Sequence, residues 1–263
     1  MKKDYKNILA GPIPLILVII LFYLHPVNEG PPRSEYSEGI WNNCNFTKPA
    51  EEWSAAAKRF GGGENAVIDL VVAQAHANEL TYLPYPFEKS ENVYSYSQTD
   101  QVEPYLKKFD EDGLKVILSI QPNNADVADL IDIILTRYGH HESIIGVNID
   151  MEWKLTGNPC HVSNEERNLW LNRVQKYNPE FKLFLTYFKD YTYFPDDAED
   201  VVILYDGEKA TQTTLMREYG NLASHYTSAG IYTGYSSSTP PPTASHDSIM
   251  AAAPNTQYIL HIV

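Results

Sequence analysis

From residue 38 onward, short apolar, β-branched runs alternate with longer stretches whose apolar residues recur three and four apart. The runs at 39–46, 66–73, 115–121, 144–152, 182–187, 201–206, 230–235 and 257–263 predict eight strands. Between them, 125–138 has the clearest helical period, with Val127, Leu130, Ile131, Ile134, Leu135 and Tyr138 on one face and Asn124 as N-cap. Residues 164–177 follow Ser163 as cap, and 50–60 run into Gly61-Gly62-Gly63, a helix stop. Residues 101–109 and 213–224 fill two more gaps, whereas no helix is predicted between the fifth and sixth strands. Strands alternating with helices predict parallel pairing, and eight such units predict a closed (β/α)8 barrel. An open doubly wound sheet is the competing arrangement. The triple glycine precedes a strand, which is the wrong context for a dinucleotide-binding loop.

The fourth run breaks the apolar pattern. In Ile144–Trp153 polar residues recur at every second position, which puts Asn148, Asp150 and Glu152 on one face of a strand. Carboxylates facing a dry interior need partners, so the face is either a wet edge or a functional wall. In a barrel the chemistry sits at the C-terminal ends of the strands, and Glu152 lies at such an end. Trp153 follows it. Tyr82, Tyr85, Phe87, Tyr94 and Tyr96 after the second strand, and Phe188, Tyr191, Tyr193 and Phe194 after the fifth, give aromatic loops over the same end. Such rings suit the C–H faces and hydroxyl edges of sugars, although each could equally pack its loop against the barrel.

Charge and the N-terminus narrow the setting. The formal net charge of −14 argues against a nucleic-acid partner. Lys2, Lys3 and Lys6 precede an uncharged run from Ile8 to Leu24 with no small-residue cleavage site after it. Residues 1–26 therefore read as an uncleaved transmembrane signal-anchor, residues 27–37 as a tether, and 38–263 as the barrel domain outside the cytoplasm; a cleaved signal and a secreted domain is the alternative. Beyond the anchor, 17 basic residues face 33 acidic ones, which suits a neutral or cationic ligand. Cys44 and Cys160 could be bridged or be two free thiols.

With the fourth strand in place, the order of motifs resembles the family 18 glycoside hydrolases, the chitinase and endo-N-acetylglucosaminidase group. That family's fourth strand reads D-G-x-D-x-D-x-E, and residues 145–152 keep Gly146, Asp150 and Glu152. Its third strand, K-V-x-x-S-x-G-G, is similar to Lys115-Val116-Ile117-Leu118-Ser119-Ile120, and the Tyr-Asp ending its sixth strand matches Tyr205-Asp206. The chain departs at Ile145 and Asn148, where the family has aspartates, at Gln121-Pro122 in place of Gly-Gly, and in its eighth strand, which has no tryptophan and no helix after it. The resemblance implies a barrel that cleaves β-linked N-acetylhexosamine glycans by substrate-assisted catalysis, with no cofactor. Glu152 is then the acid, its proton held by burial; Asp150 orients the acetamido group, with Asn148 bonded to it; and Tyr205 donates to the same group. Asn148, Asp206, Trp153, Ser119 and Tyr187 are the matching substrate-binding positions. Two alternatives stand beside this: a catalytically silent carbohydrate-binding barrel, and a barrel glycosidase pairing Glu152 with a carboxylate such as Asp206 or Glu208 in the conventional way. No metal site is expected. His140-His141-Glu142 ends a helix, where histidine is favoured by the helix dipole alone.

Overall fold

A computed structural model of the chain describes residues 36–263 except 44, 64, 89–91, 197, 199, 208–210 and 235–245. The expected anchor and nearly all of the tether lie outside the described residues. Among the described residues no helix is long and apolar enough to cross a membrane.

All eight expected strands form, and they close into a barrel. They are β1 (Ser37–Asn42), β2 (Ala66–Ala75), β5 (Lys115–Ile120), β6 (Ile144–Asp150), β7 (Lys182–Tyr187), β8 (Val201–Asp206), β9 (Ala229–Thr233) and β10 (Thr256–Ile262). Each pairs in parallel with the next, and β1 pairs with both β2 and β10, which removes the open-sheet alternative. Two short strands, β3 (Thr81–Leu83) and β4 (Tyr94–Tyr96), extend β2 at the rim, so the aromatic segment expected as a loop is partly sheet. β1 ends earlier than its apolar run because the Asn42 side chain accepts the Asn45 N–H at 2.8 Å and turns the chain.

The helices are α1 (Ala50–Gly61), α2 (Glu103–Glu111), α3 (Val127–Tyr138), α4 (Asn164–Tyr177), α5 (Gln212–Ala223) and α6 (His246–Ala252). The cap of α3 is Asp126, which accepts the Asp129 N–H, two residues after the expected Asn124. Between β7 and β8 the described residues hold only a 3-10 turn, Tyr191–Tyr193. The short α6 was not expected, and the stiff loop that Pro240-Pro241-Pro242 imply over 236–243 lies outside the described residues.

Alternation along the strands divides the apolar residues between two cores. One, including Ile68, Leu70, Leu118, Val147, Leu185 and Ile203, lies between the sheet and the helices. The other fills the barrel with Val67, Ile117, Phe184, Val202, Leu204, Tyr258 and Leu260. Gly39 makes the seam possible, since a Cβ there would overlap the Val67 carbonyl of β2. Gly146 does the same for the fourth barrel strand: its φ is 158°, and a Cβ would run into the Lys182 carbonyl of β7.

Candidate active site

Above the apolar filling of the barrel lies a buried polar layer. Asp69 of β2 is fully buried and accepts from the hydroxyls of Ser119 and Tyr232. Asn148 Nδ2 donates to Ser119 Oγ at 2.9 Å and approaches Asp69 Oδ2 at 3.5 Å, and its Oδ1 accepts from Thr186 at 2.8 Å. Asn148 is thus satisfied within this layer and is not the partner expected for Asp150. Burial pushes the Asp69 pKa up to about 6, against the opposing effect of its hydrogen bonds.

One layer higher, at the C-terminal ends of the strands, stand Gln121, Asp150 and Asp206. Asp150 Oδ2 accepts from Gln121 Nε2 at 3.2 Å, so the residue that breaks the third-strand motif is the one holding the carboxylate. The other oxygen, Oδ1, accepts the Glu152 N–H at 3.2 Å and caps a 3-10 turn over Met151–Trp153. That turn ends β6 at Asp150, two residues before the expected end. Glu152 therefore leaves the strand face it was expected to share with Asn148 and Asp150, and its side chain is exposed, without the burial expected of it. Desolvation by the surrounding walls, and then the nearby Asp206, hold the Asp150 pKa well above the ordinary carboxylate range.

Two spaces open from this level. A cleft of about 700 Å³ is lined by Glu152, by Phe188, Lys189 and Asp190 after β7, by Tyr205, Asp206 and Gly207 at the end of β8, and by Thr214, Arg217, Glu218 and Asn221 of α5. On the barrel axis, Gln121, Asp150, Asp206 and Tyr232 with Trp41 and Ser119 enclose a space of only about 20 Å³. Asp206 belongs to both. The structure therefore brings Glu152, Tyr205 and Asp206 together and sets Asp150 behind Asp206, with Asn148 and Ser119 deeper still.

Tyr205 lines the cleft, but it belongs to the core outside the barrel and its hydroxyl donates to Glu218 Oε2 at 2.6 Å, not toward the axis. The remaining expected residues fall outside the cleft. Tyr187 is buried in the same outer core, and Trp153 is exposed away from the cleft lining. Of the loop aromatics, Phe188 alone lines the cleft; Tyr85 is buried against Tyr138, and Tyr193 packs on Tyr187. Cys160 carries a free thiol, and Cys44 lies outside the described residues.

Sequence reasoning missed Asp69, Glu218 and Lys154. Lys154 is buried, and its Nζ meets Glu166 Oε1 at 3.0 Å and the carbonyls of Thr156 and Asn158 at 2.8 and 2.9 Å. It ties the loop that carries Glu152 to the start of α4. The signals were faint: an isolated acid in an apolar run for Asp69, and a lysine directly after the aromatic for Lys154.

The chain matches no protein-family model and no curated protein sequence. Among solved structures, an endoglucanase of Pseudomonas stutzeri aligns over 88% of this chain and 86% of its own, at 11% identity and a TM-score of 0.50. The catalytic module of a family 98 glycoside hydrolase from Streptococcus pneumoniae (12% identity, TM-score 0.47) aligns over 87% of this chain and 46% of its own. For a UMP synthase of Leishmania donovani (11%, TM-score 0.47) the shares are 87% and 49%. The chain spans about half the length of the last two. At 11% identity the likeness to the endoglucanase shows the (β/α)8 fold.

Proposed function

We propose that this barrel is a glycoside hydrolase in which Glu152 and Asp206 flank the scissile bond of an oligosaccharide held in the cleft between β8 and α5. The observation that carries this is their shared position: both line one open space of about 700 Å³, whereas Asp150 faces an axial space of about 20 Å³. The larger volume fits sugar rings; the smaller has room for about one water. Glu152 donates a proton to the glycosidic oxygen, and Asp206 acts from the other face as base or nucleophile. Burial and the nearby Asp206 raise the Asp150 pKa, which favours its neutral form beside that second carboxylate. Phe188 offers a ring face to the sugar. Residues 8–24 anchor the domain to a membrane, with the cleft outside the cytoplasm.

A second reading has one observation in its favour. Asp150 is bonded to the backbone of Glu152, which fixes it relative to the acid, as substrate-assisted cleavage of an N-acetylhexosamine glycan requires. Acetylated and deacetylated chitooligosaccharides and a β-glucan oligosaccharide, offered to Asp206→Asn and Asp150→Asn variants, separate the two. The conventional pair predicts that Asp206→Asn loses on the order of 10²–10⁴-fold in turnover, with Asp150→Asn far less affected and no need for the acetamido group. Substrate assistance predicts the reverse on all three counts. Unchanged turnover in Glu152→Gln refutes both, and binding without product in the unmodified chain marks a carbohydrate-binding barrel.

A further inference from the structure

The histidine pair before β6 is more than the end of a helix. We propose that Glu103, His140 and His141 form a site for a divalent ion of the zinc type, pinning α2 to the turn between α3 and β6. One ligand atom from each residue lies within 4.8 Å of the others, so the trio converges, although the residues come from two separate parts of the chain. The acid of the trio is not the adjacent Glu142 but Glu103 of α2.

His141 is already held as a ligand would be. Its ring is buried, with Nδ1 2.6 Å from Asp110 Oδ2, while Asp110 Oδ1 accepts the Ser143 N–H at 2.9 Å. A metal-bound histidine almost always gives its other ring N–H to a carboxylate, which fixes the tautomer and aims the free lone pair. Here the free nitrogen, Nε2, is aimed at Glu103 Oε2, 3.2 Å away. Glu103 Oε1 is engaged by Lys107 at 3.3 Å, which leaves Oε2 for the site. His140 is exposed and lies beside His141, with ring centroids 4.3 Å apart.

Two imidazoles and a carboxylate are a borderline donor set that suits Zn²⁺, and a solvent-facing fourth position takes a water. With bonds of about 2.0–2.2 Å, tetrahedral ligands sit roughly 3.3–3.5 Å apart. The trio must therefore contract by up to about 1.5 Å, a movement open to the exposed His140 ring and the half-buried Glu103. On binding, the metal displaces any proton shared between Nε2 and Glu103. The site lies at the N-terminal end of β6, on the order of 20 Å along that strand from Asp150, so its role is structural and independent of the cleft.

The test is titration of the chelator-stripped full-length chain with Zn²⁺ by calorimetry, alongside melting curves with and without the metal. One equivalent should bind and raise the Tm. His140→Ala, which alters an exposed side chain, should leave the metal-free Tm unchanged, weaken zinc binding by about tenfold or more, and abolish the metal-dependent rise. Asp110→Asn should weaken binding by about 10–100-fold through the ring it orients. If His141 is only an ion-paired staple between Asp110 and Glu103, His140→Ala will change nothing. Zinc uptake equal to the unmodified chain in that variant, or no saturable uptake by the unmodified chain, overturns the site.

Discussion

Asp69 takes a carboxylate into the barrel interior, where Ser119, Tyr232 and Asn148 turn their donors to it. Its pKa rises from 3.8 to about 6 on folding because burial outweighs those hydrogen bonds. Between these values the folded state binds more protons than the unfolded one, so this group's contribution to stability falls as pH rises through the window. The fall is about 3 kcal/mol and is complete above the folded pKa. Urea unfolding of Asp69→Asn and the unmodified chain at pH 4 and pH 7 isolates it: the gap between the two should shift toward the variant at the higher pH. A constant gap would mean that Asp69 does not titrate in this range. Lys154 has the opposite character, a buried cation with a full set of acceptors. Lys154→Met leaves Glu166 without that cation and two carbonyls without their donor, a loss of about 3–5 kcal/mol in the melting experiment, and it frees the loop that carries Glu152. Neither residue was legible beforehand, because each depends on partners from other strands or from the next helix. Asn148 was legible as polar and inward but not in its partner. Residues two apart on one strand share a face, yet they lie in different layers, and the layer decides what they touch.

At the scale of elements, the pattern of apolar residues was sufficient for the strands. A barrel strand buried on both sides must be a short apolar run, and every such run became one. Ends were less legible, because they are set by side chains returning to the backbone: Asn42 turns the chain after β1, and Asp150 caps the turn that ends β6. The second of these relocates Glu152, and with it the site. Ser163 caps α4 as expected, and the structure adds the reciprocal half of a capping box, with the Ser163 and Glu166 side chains each bonded to the other's backbone N–H. Glycine gives a sharper test of strand packing. Gly146→Ala drives a methyl group into the Lys182 carbonyl, and neither backbone can move without unpairing β6 from β7. Gly62→Ala has open space around it and meets only the strain of its left-handed φ of 64°, about 1 kcal/mol. Denaturation midpoints should therefore separate the two variants, with Gly146→Ala lower by several kcal/mol or unable to fold. Equal midpoints would show that β6 can shift away from β7 at no cost.

For the whole molecule, closure is the property that the site depends on. Asp69, Asp150 and Asp206 come from three strands and Gln121 directly follows a fourth, and only a closed ring brings their ends around one axis. The (β/α)8 arrangement was legible because alternation and the count of units dictate it, and because parallel strands leave few ways to connect. The cleft was not, since it lies off the axis, where one face of α5 meets the loop after β7 and the end of β8, and no period encodes that meeting. Closure also makes the two ends of the barrel interdependent: β1 bonds to β2 on one side and β10 on the other. A chain stopped before Thr256 would leave β9 and β1 with unpaired edges and the inner core without Tyr258 and Leu260. Parallel edges of apolar strands pair with other chains, so this truncation should lose its cooperative melt and elute as aggregate in size-exclusion chromatography. A soluble monomer with a sharp transition would show that seven strands suffice, and that the polar layer around Asp69 does not require the ring to be complete.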